Sequence, residues 1–126
     1  MPNYFLDNPD VQFHFNALNL KEVVALAEDH YAQAKEFNYA PVDYDDAMEN
    51  YRKVLEVAGA LAANCIAPRA AGVDHDGATF NEGQVTYAEG TLKNVQELSQ
   101  ADLMGMILPR KYGGLNFPFT MYMMVT

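Results

Sequence analysis

Three places in this 126-residue chain bring together side chains or backbone of the kind that does chemistry. Glu28-Asp29-His30 offers two carboxylates and an imidazole, and Asp74-His75-Asp76-Gly77 offers a similar set ahead of a glycine. Tyr112-Gly113-Gly114 offers tandem glycines, which suit positive φ or very close approach to a neighbouring group. A metal ion needs ligands that converge, and adjacent helical residues point about 100° apart, so Glu28, Asp29 and His30 do not share one ion. A di-iron site in a helical bundle needs repeated Glu-x-x-His spacing, which this chain lacks. A calcium loop needs oxygen ligands before its central glycine and a closing glutamate. With Gly77 as that glycine, the first and last ligand positions fall on Gly72 and Gly83. The cluster at Asp74 therefore reads as a solvated helix end. His14 has no histidine or carboxylate partner at helical spacing. Cys65 has no basic neighbour nearer than Arg69 and reads as an inert core thiol. No residue is assigned a catalytic, cofactor-binding or metal-binding role.

Composition narrows the field further. Half of the residues are hydrophobic, ample for a core and against disorder. The formal charge is −9, and residues 1–56 carry −7 of it, from eleven acidic against four basic side chains. Such a surface disfavours nucleic acid and anionic membranes, which need a basic footprint. The single cysteine suits a reducing compartment. The N-terminus MPNYFLDNPD has no leader pattern, and the apolar runs fall short of the ~20 residues of a membrane helix. The expectation is a soluble, cytoplasmic protein.

The elements that would position these groups are helical. Residues 1–18 read as an extended arm, anchored by Tyr4, Phe5 and Leu6, followed by a short helix capped by Asn8-Pro9-Asp10. A second helix is expected from an Asn19…Glu22 capping box to about Lys35, with Leu20, Val23, Val24, Ala27, Tyr31 and Ala34 on one face. The longest helix starts at Asp43 and carries a stripe that includes Ala47, Tyr51, Leu55, Ala58 and Ala62. It becomes small and apolar over Ala58–Ala63, and Pro68 predicts a kink. A short hairpin is expected near 78–86, and a further helix from a Thr86…Glu89 capping box to Ala101. The fold class is all-α, an up-down bundle of about four to five helices, with residues 19–126 as the main domain.

After that helix, Ala101–Phe119 combines Gly105, Ile107-Leu108-Pro109, Tyr112-Gly113-Gly114-Leu115 and Pro118. Pro109 favours an extended residue before it, so an apolar segment is expected to cross the core before the glycine turn redirects the chain. Residues 84–118 resemble the N-terminal helical domain of the acyl-CoA dehydrogenases, through Leu98-x-x-Ala101, Leu103, Met104, Gly105, Ile107-Leu108-Pro109, Tyr112-Gly113-Gly114-Leu115 and Pro118. Upstream, Ile66-Ala67-Pro68-Arg69-Ala70 with Asp74 and Gly77 is also similar to the family. The long Asp74–Gly90 loop and the arm resemble the longer-chain branch that includes the 3-methylthiopropanoyl-CoA dehydrogenases. Two residues depart from the family pattern: Asp102 at a left-handed turn where glycine is usual, and Arg110-Lys111 where acidic residues are common.

The resemblance implies a parent enzyme of fatty acid metabolism that uses FAD to introduce a double bond into an acyl-CoA. An electron-transferring flavoprotein would reoxidise the flavin. It also implies that the catalytic glutamate and most flavin contacts come from other domains, so these residues are a fragment that walls the active site and holds no FAD of its own. The uncapped apolar residues 119–125 read as a chain cut within a helix. Exposed apolar surface around Ala58–Ala63 and Phe117–Val125 would make the fragment self-associate, as a homo-oligomer. The alternative is a free-standing helical module that binds a partner chain. A helical enzyme complete in itself has no supporting constellation.

Overall fold

The computed structural model describes residues 1–125. Helix α1 (Pro9–Ala17) begins as expected, with the Asn8 side chain accepting the Asp10 and Val11 N–H groups at 3.1 Å. Helix α2 (Lys21–Ala27) is followed by a 3-10 segment, Asp29–Lys35. Helix α3 (Tyr44–Leu61) is capped by Asp43, which accepts the Asp46 N–H at 2.9 Å. A π turn, Ala62–Ile66, joins it to α4 (Ala67–Asp76). Strands β1 (Thr79–Asn81) and β2 (Gln84–Thr86) pair antiparallel with Phe80 opposite Val85, and α5 (Glu89–Gln100) and α6 (Phe119–Tyr122) complete the order. The fold is all-helical apart from this hairpin, as the periodicities require.

The core forms where the α3 stripe meets the rest of the chain. Ala47, Tyr51 and Leu55 pack with Phe5, Phe15, Leu20 and Val24 from the N-terminal side, and with Met106, Phe117 and Met121 from the C-terminal side. Fully burying side chains of this size contributes about 1.5–3 kcal/mol each.

Several local expectations are corrected. The arm is held by Asn3 and Phe5, whereas Tyr4 and Leu6 are exposed. The Asn3 amide donates to the Glu56 carbonyl at 2.9 Å, and its oxygen accepts the N–H groups of Phe5 and Leu6. Gly59 makes this docking possible, because a Cβ there would lie 2.2 Å from the Asn3 side-chain oxygen. Ala58, Gly59 and Ala63 are consequently buried rather than exposed. The second helix ends at Ala27, short of Lys35: the Asn116 amide takes the Ala27 carbonyl at 2.7 Å, and Asp29, His30 and Tyr31 all adopt positive φ. Both capping boxes fail. Leu20 takes the first N-cap and is buried there, while Thr86 is spent pairing with Thr79, so Ala88 heads α5.

At Pro68 the missing donor is accommodated by the π turn, in which the Ala67 N–H reaches back to the Ala62 carbonyl. The helix therefore continues over Tyr44–Asp76, 33 residues with an 18-residue window of mean hydropathy 1.2. By length and composition it is apolar enough to cross a membrane, contrary to the expectation from short apolar runs. Its hydropathy comes mainly from Val54, Leu55, Val57, Leu61 and Ile66, spaced by alanines, and Arg69 in its second half is bridged to Glu97 on α5.

Beyond α5, Asp102 takes the left-handed conformation expected of it, with φ 59°. The expected extended crossing is instead a 3-10 turn, Leu103–Gly105, and only Leu103 and Met106 reach the core. Ile107 and Leu108 are exposed because the chain doubles back on itself. Leu115, Asn116 and Phe117 donate to the carbonyls of Gly105, Leu108 and Met106.

Candidate functional site

Of the groups singled out by residue type, most are dispersed. His14 lies on the surface against the Phe13 ring, and Asp74, His75 and Asp76 end α4 in solvent. Among the described residues no three His, Cys, Asp or Glu side chains gather as a metal site. Glu28 separates completely from its sequence neighbours: Asp29 and His30 stay at the surface, and Glu28 turns into the core.

There Glu28 meets two residues from distant parts of the chain. Its Oε2 accepts from Arg110 Nη1 at 2.6 Å, and its Oε1 accepts from the Tyr51 hydroxyl, also at 2.6 Å. The side chains of Arg110 and Glu28 are 2% and 1% exposed, so the ion pair is fully desolvated. Arg110 Nη1 also donates to Gln33 Oε1 at 3.0 Å. Phe117 closes the cluster edge-on to Tyr51, with ring centroids 4.5 Å apart. Burial, then the bond to the Glu28 carboxylate, push the Tyr51 phenol well above its ordinary range, so it remains a proton donor.

Sequence reasoning weighed Glu28 only as a metal ligand and missed this cluster. Leu20, Val24 and Glu28 recur every four residues, and that spacing puts Glu28 on the buried face of α2. No comparable spacing marks Arg110. The arrangement does not suit acid–base chemistry: both Glu28 oxygens are engaged, and a general base must reach its substrate's proton. It suits a lock. Arg110–Glu28 and Asn116–Ala27 tie the turn after α5 to the end of α2.

The glycine turn is closed in the same sense. Gly113 has φ 85°, and Gly114 packs so tightly that a Cβ would sit 2.0 Å from the Leu108 carbonyl oxygen. Their N–H groups donate to Arg110 and Pro109. A second lock joins α4 to α5, where Arg69 forks onto both Glu97 oxygens at 2.7 Å and onto Asn94 at 2.9 Å. The Arg69 hydrogen bonds hold the Glu97 carboxyl below its usual range.

The model of the acyl-CoA dehydrogenase N-terminal domain matches residues 48–126, more than half of the chain. The chain belongs to the acyl-CoA dehydrogenase family. Comparison with curated proteins and with solved structures returned no match. The matched region begins inside α3 and includes Tyr51 and Arg110, whereas Glu28 precedes it. Acyl-CoA dehydrogenases generally bind FAD. Gly114 is packed against the Leu108 backbone, and the N–H groups of both tandem glycines are spent on backbone carbonyls, so this turn offers no cradle for a pyrophosphate.

Proposed function

We propose that this chain is the N-terminal helical part of an FAD-dependent acyl-CoA dehydrogenase that oxidises acyl-CoA to 2-enoyl-CoA. Its role is to wall the active site while other domains supply the reacting groups. The observation that carries this reading is the family match, joined to a fold in which the buried Glu28 carboxylate is held by Tyr51 and Arg110. The hairpin within the Asp74–Gly90 loop and the docked arm favour the longer-chain branch resembling the 3-methylthiopropanoyl-CoA dehydrogenases. In this reading an electron-transferring flavoprotein is the oxidant of the parent, and the single cysteine and acidic charge favour a cytoplasmic setting. The fragment is inactive by itself.

The experiment compares the purified full chain with a polypeptide that continues through the downstream coding sequence. The chain alone is expected to carry no stoichiometric flavin and to reduce no dye with acyl-CoA. The longer product is expected to be yellow and active. Stoichiometric flavin on the chain alone overturns the division of labour. A downstream sequence without a β-domain favours the free-standing interaction module, whose partner face would include the exposed Leu92 and Val95 of α5.

A further inference from the structure

At the end of α2, local sequence and distant contacts pull against each other. Val24, Ala27, Tyr31 and Ala34 keep the helical period, and in a continued helix the Ala27 carbonyl accepts the Tyr31 N–H. The Asn116 amide occupies that carbonyl instead, at 2.7 Å, and the Tyr31 N–H turns to the Glu28 carbonyl at 2.8 Å. Asp29, His30 and Tyr31 consequently stand at φ 49°, 50° and 64°. Single residues visit this conformation. Three in succession, the last an aromatic, persist only where the surroundings over-determine them.

Two bonds do so: Asn116 to Ala27, and Arg110 Nη1 to Gln33 Oε1 at 3.0 Å. They strap the 3-10 segment Asp29–Lys35 to the turn after α5. Strap and turn enclose a cavity of about 350 Å³, lined by Gln33, Glu36 and Phe37 from the strap side and by Pro109, Lys111 and Asn116 from the turn. Rewinding the strap into helix disturbs little else. Glu28 precedes the first left-handed residue, so its bonds to Arg110 and Tyr51 are kept. Tyr31, which packs against the core, falls on the same face as Val24 in a continued helix. Ala40 and Pro41 are buried and fix where the chain rejoins α3, leaving residues 36–39 to take up the change in length.

We propose that residues 29–39 are a two-state strap over this cavity. In the closed state Asn116 and Gln33 hold the strap against the turn. In the open state the Tyr31 N–H reclaims the Ala27 carbonyl, α2 runs on to about Lys35, and Gln33, Glu36 and Phe37 leave the cavity, which opens to solvent. The exchange trades two tertiary hydrogen bonds for helical ones and for relief of the left-handed strain, so the open state is a minor population within reach of the closed one. The device uses no flavin and no acyl-CoA, and it does not depend on the proposed function.

Relaxation-dispersion NMR on the full chain reads the minor state through the Cα shifts of residues 29–34, which are expected to be helical. His30 is exposed, so its substitution spares the core. His30→Ala favours the helix and His30→Gly the left-handed turn, and the open population is expected to be at least about tenfold larger in the alanine variant. Asn116→Gly tolerates φ 57° and keeps the N–H that residue 116 donates to the Leu108 carbonyl, but frees the Ala27 carbonyl. It is expected to raise the open population about fivefold over the natural chain, the effect of one lost hydrogen bond. Equal populations in the two His30 variants overturn the proposal. So do minor-state shifts that are not helical, or the absence of exchange in both His30→Ala and Asn116→Gly. If Asn116→Gly does not fold, the His30 pair decides.

Discussion

Tyr51 shows how much a single hydroxyl can be asked to do. It is fully buried in the core stripe of α3 and donates to a carboxylate that is itself paired with Arg110. Tyr51→Phe keeps the ring against Phe117 and removes only that bond, so denaturant unfolding is expected to show a loss of about 1.5–3 kcal/mol. The same hydroxyl sets an alkaline limit. Its folded pKa is raised above the ordinary value near 10, first by burial and then by Glu28. Below pH ~10 both folded and unfolded states hold the proton, and the full stability is present. Above pH ~10 the unfolded chain releases it first, so stability falls as pH rises toward the folded pKa, by at most about 1.4 kcal/mol per pH unit. Urea unfolding at a series of alkaline pH values is expected to be steeper for the natural chain than for Tyr51→Phe; parallel curves would refute the assignment. The adjacent glycines divide the two reasons for using glycine. Gly113→Ala meets open space and pays only for φ 85°, about 1–2 kcal/mol. Gly114→Ala drives a methyl into the Leu108 backbone and is expected to cost clearly more, as a ranking of the two midpoints would show.

At the scale of elements, what was legible followed from periodicity, and what was not followed from contacts distant in sequence. The α3 stripe, the hairpin, the end of α5 at Ala101 and the left-handed Asp102 were all readable, because each depends on residues within a turn or two. The end of α2 was not. It is set by Asn116 and Arg110, more than eighty residues away, which claim Ala27 and Glu28 and bend the chain there. The same distance hid the candidate site: Glu28 could be placed on an inward face, but nothing near it named its partners. The bend leaves Asp29, His30 and Tyr31 in succession at positive φ, a conformation that costs an L-residue about 1–2 kcal/mol. His30 is exposed and has no hydrogen bond among the described residues that glycine would remove. His30→Gly is therefore expected to stabilise the chain by about 0.5–1 kcal/mol, the relief of strain exceeding the added entropy of the unfolded state. A lower urea midpoint for this variant would mean that the three left-handed residues are not strained.

The whole molecule exposes more surface than its mass requires. A compact monomer of 14.0 kDa has an accessible surface of about 6,700 Å², whereas this chain exposes 8287 Å². The difference, about 1,600 Å², is comparable to the total area buried in a standard protein–protein interface. Much of the apolar surface lies in two stretches. Phe80, Val85, Leu92 and Val95 project from the hairpin and α5, and Met104, Leu108, Tyr112, Phe119 and Met123 project from the turn and α6. Within Ala58–Ala63, the buried Ala58, Gly59 and Ala63 do not belong to that surface, whereas Ala60, Leu61 and Ala62 remain half-buried. Apolar patches beyond a few hundred Å² drive association, so the isolated chain is expected to self-associate through these two stretches. The net charge of −9 opposes this at low ionic strength, and added salt screens the repulsion. Sedimentation velocity over a range of concentrations should therefore show a weight-average coefficient that rises with protein, and rises further with salt. Leu92→Glu with Val95→Glu, both exposed and free of core contacts, is expected to lower the association without altering the helical circular dichroism. A monomer at every concentration and salt would mean that the surplus surface is hydrated as it stands, and that no other copy of the chain is needed to cover it.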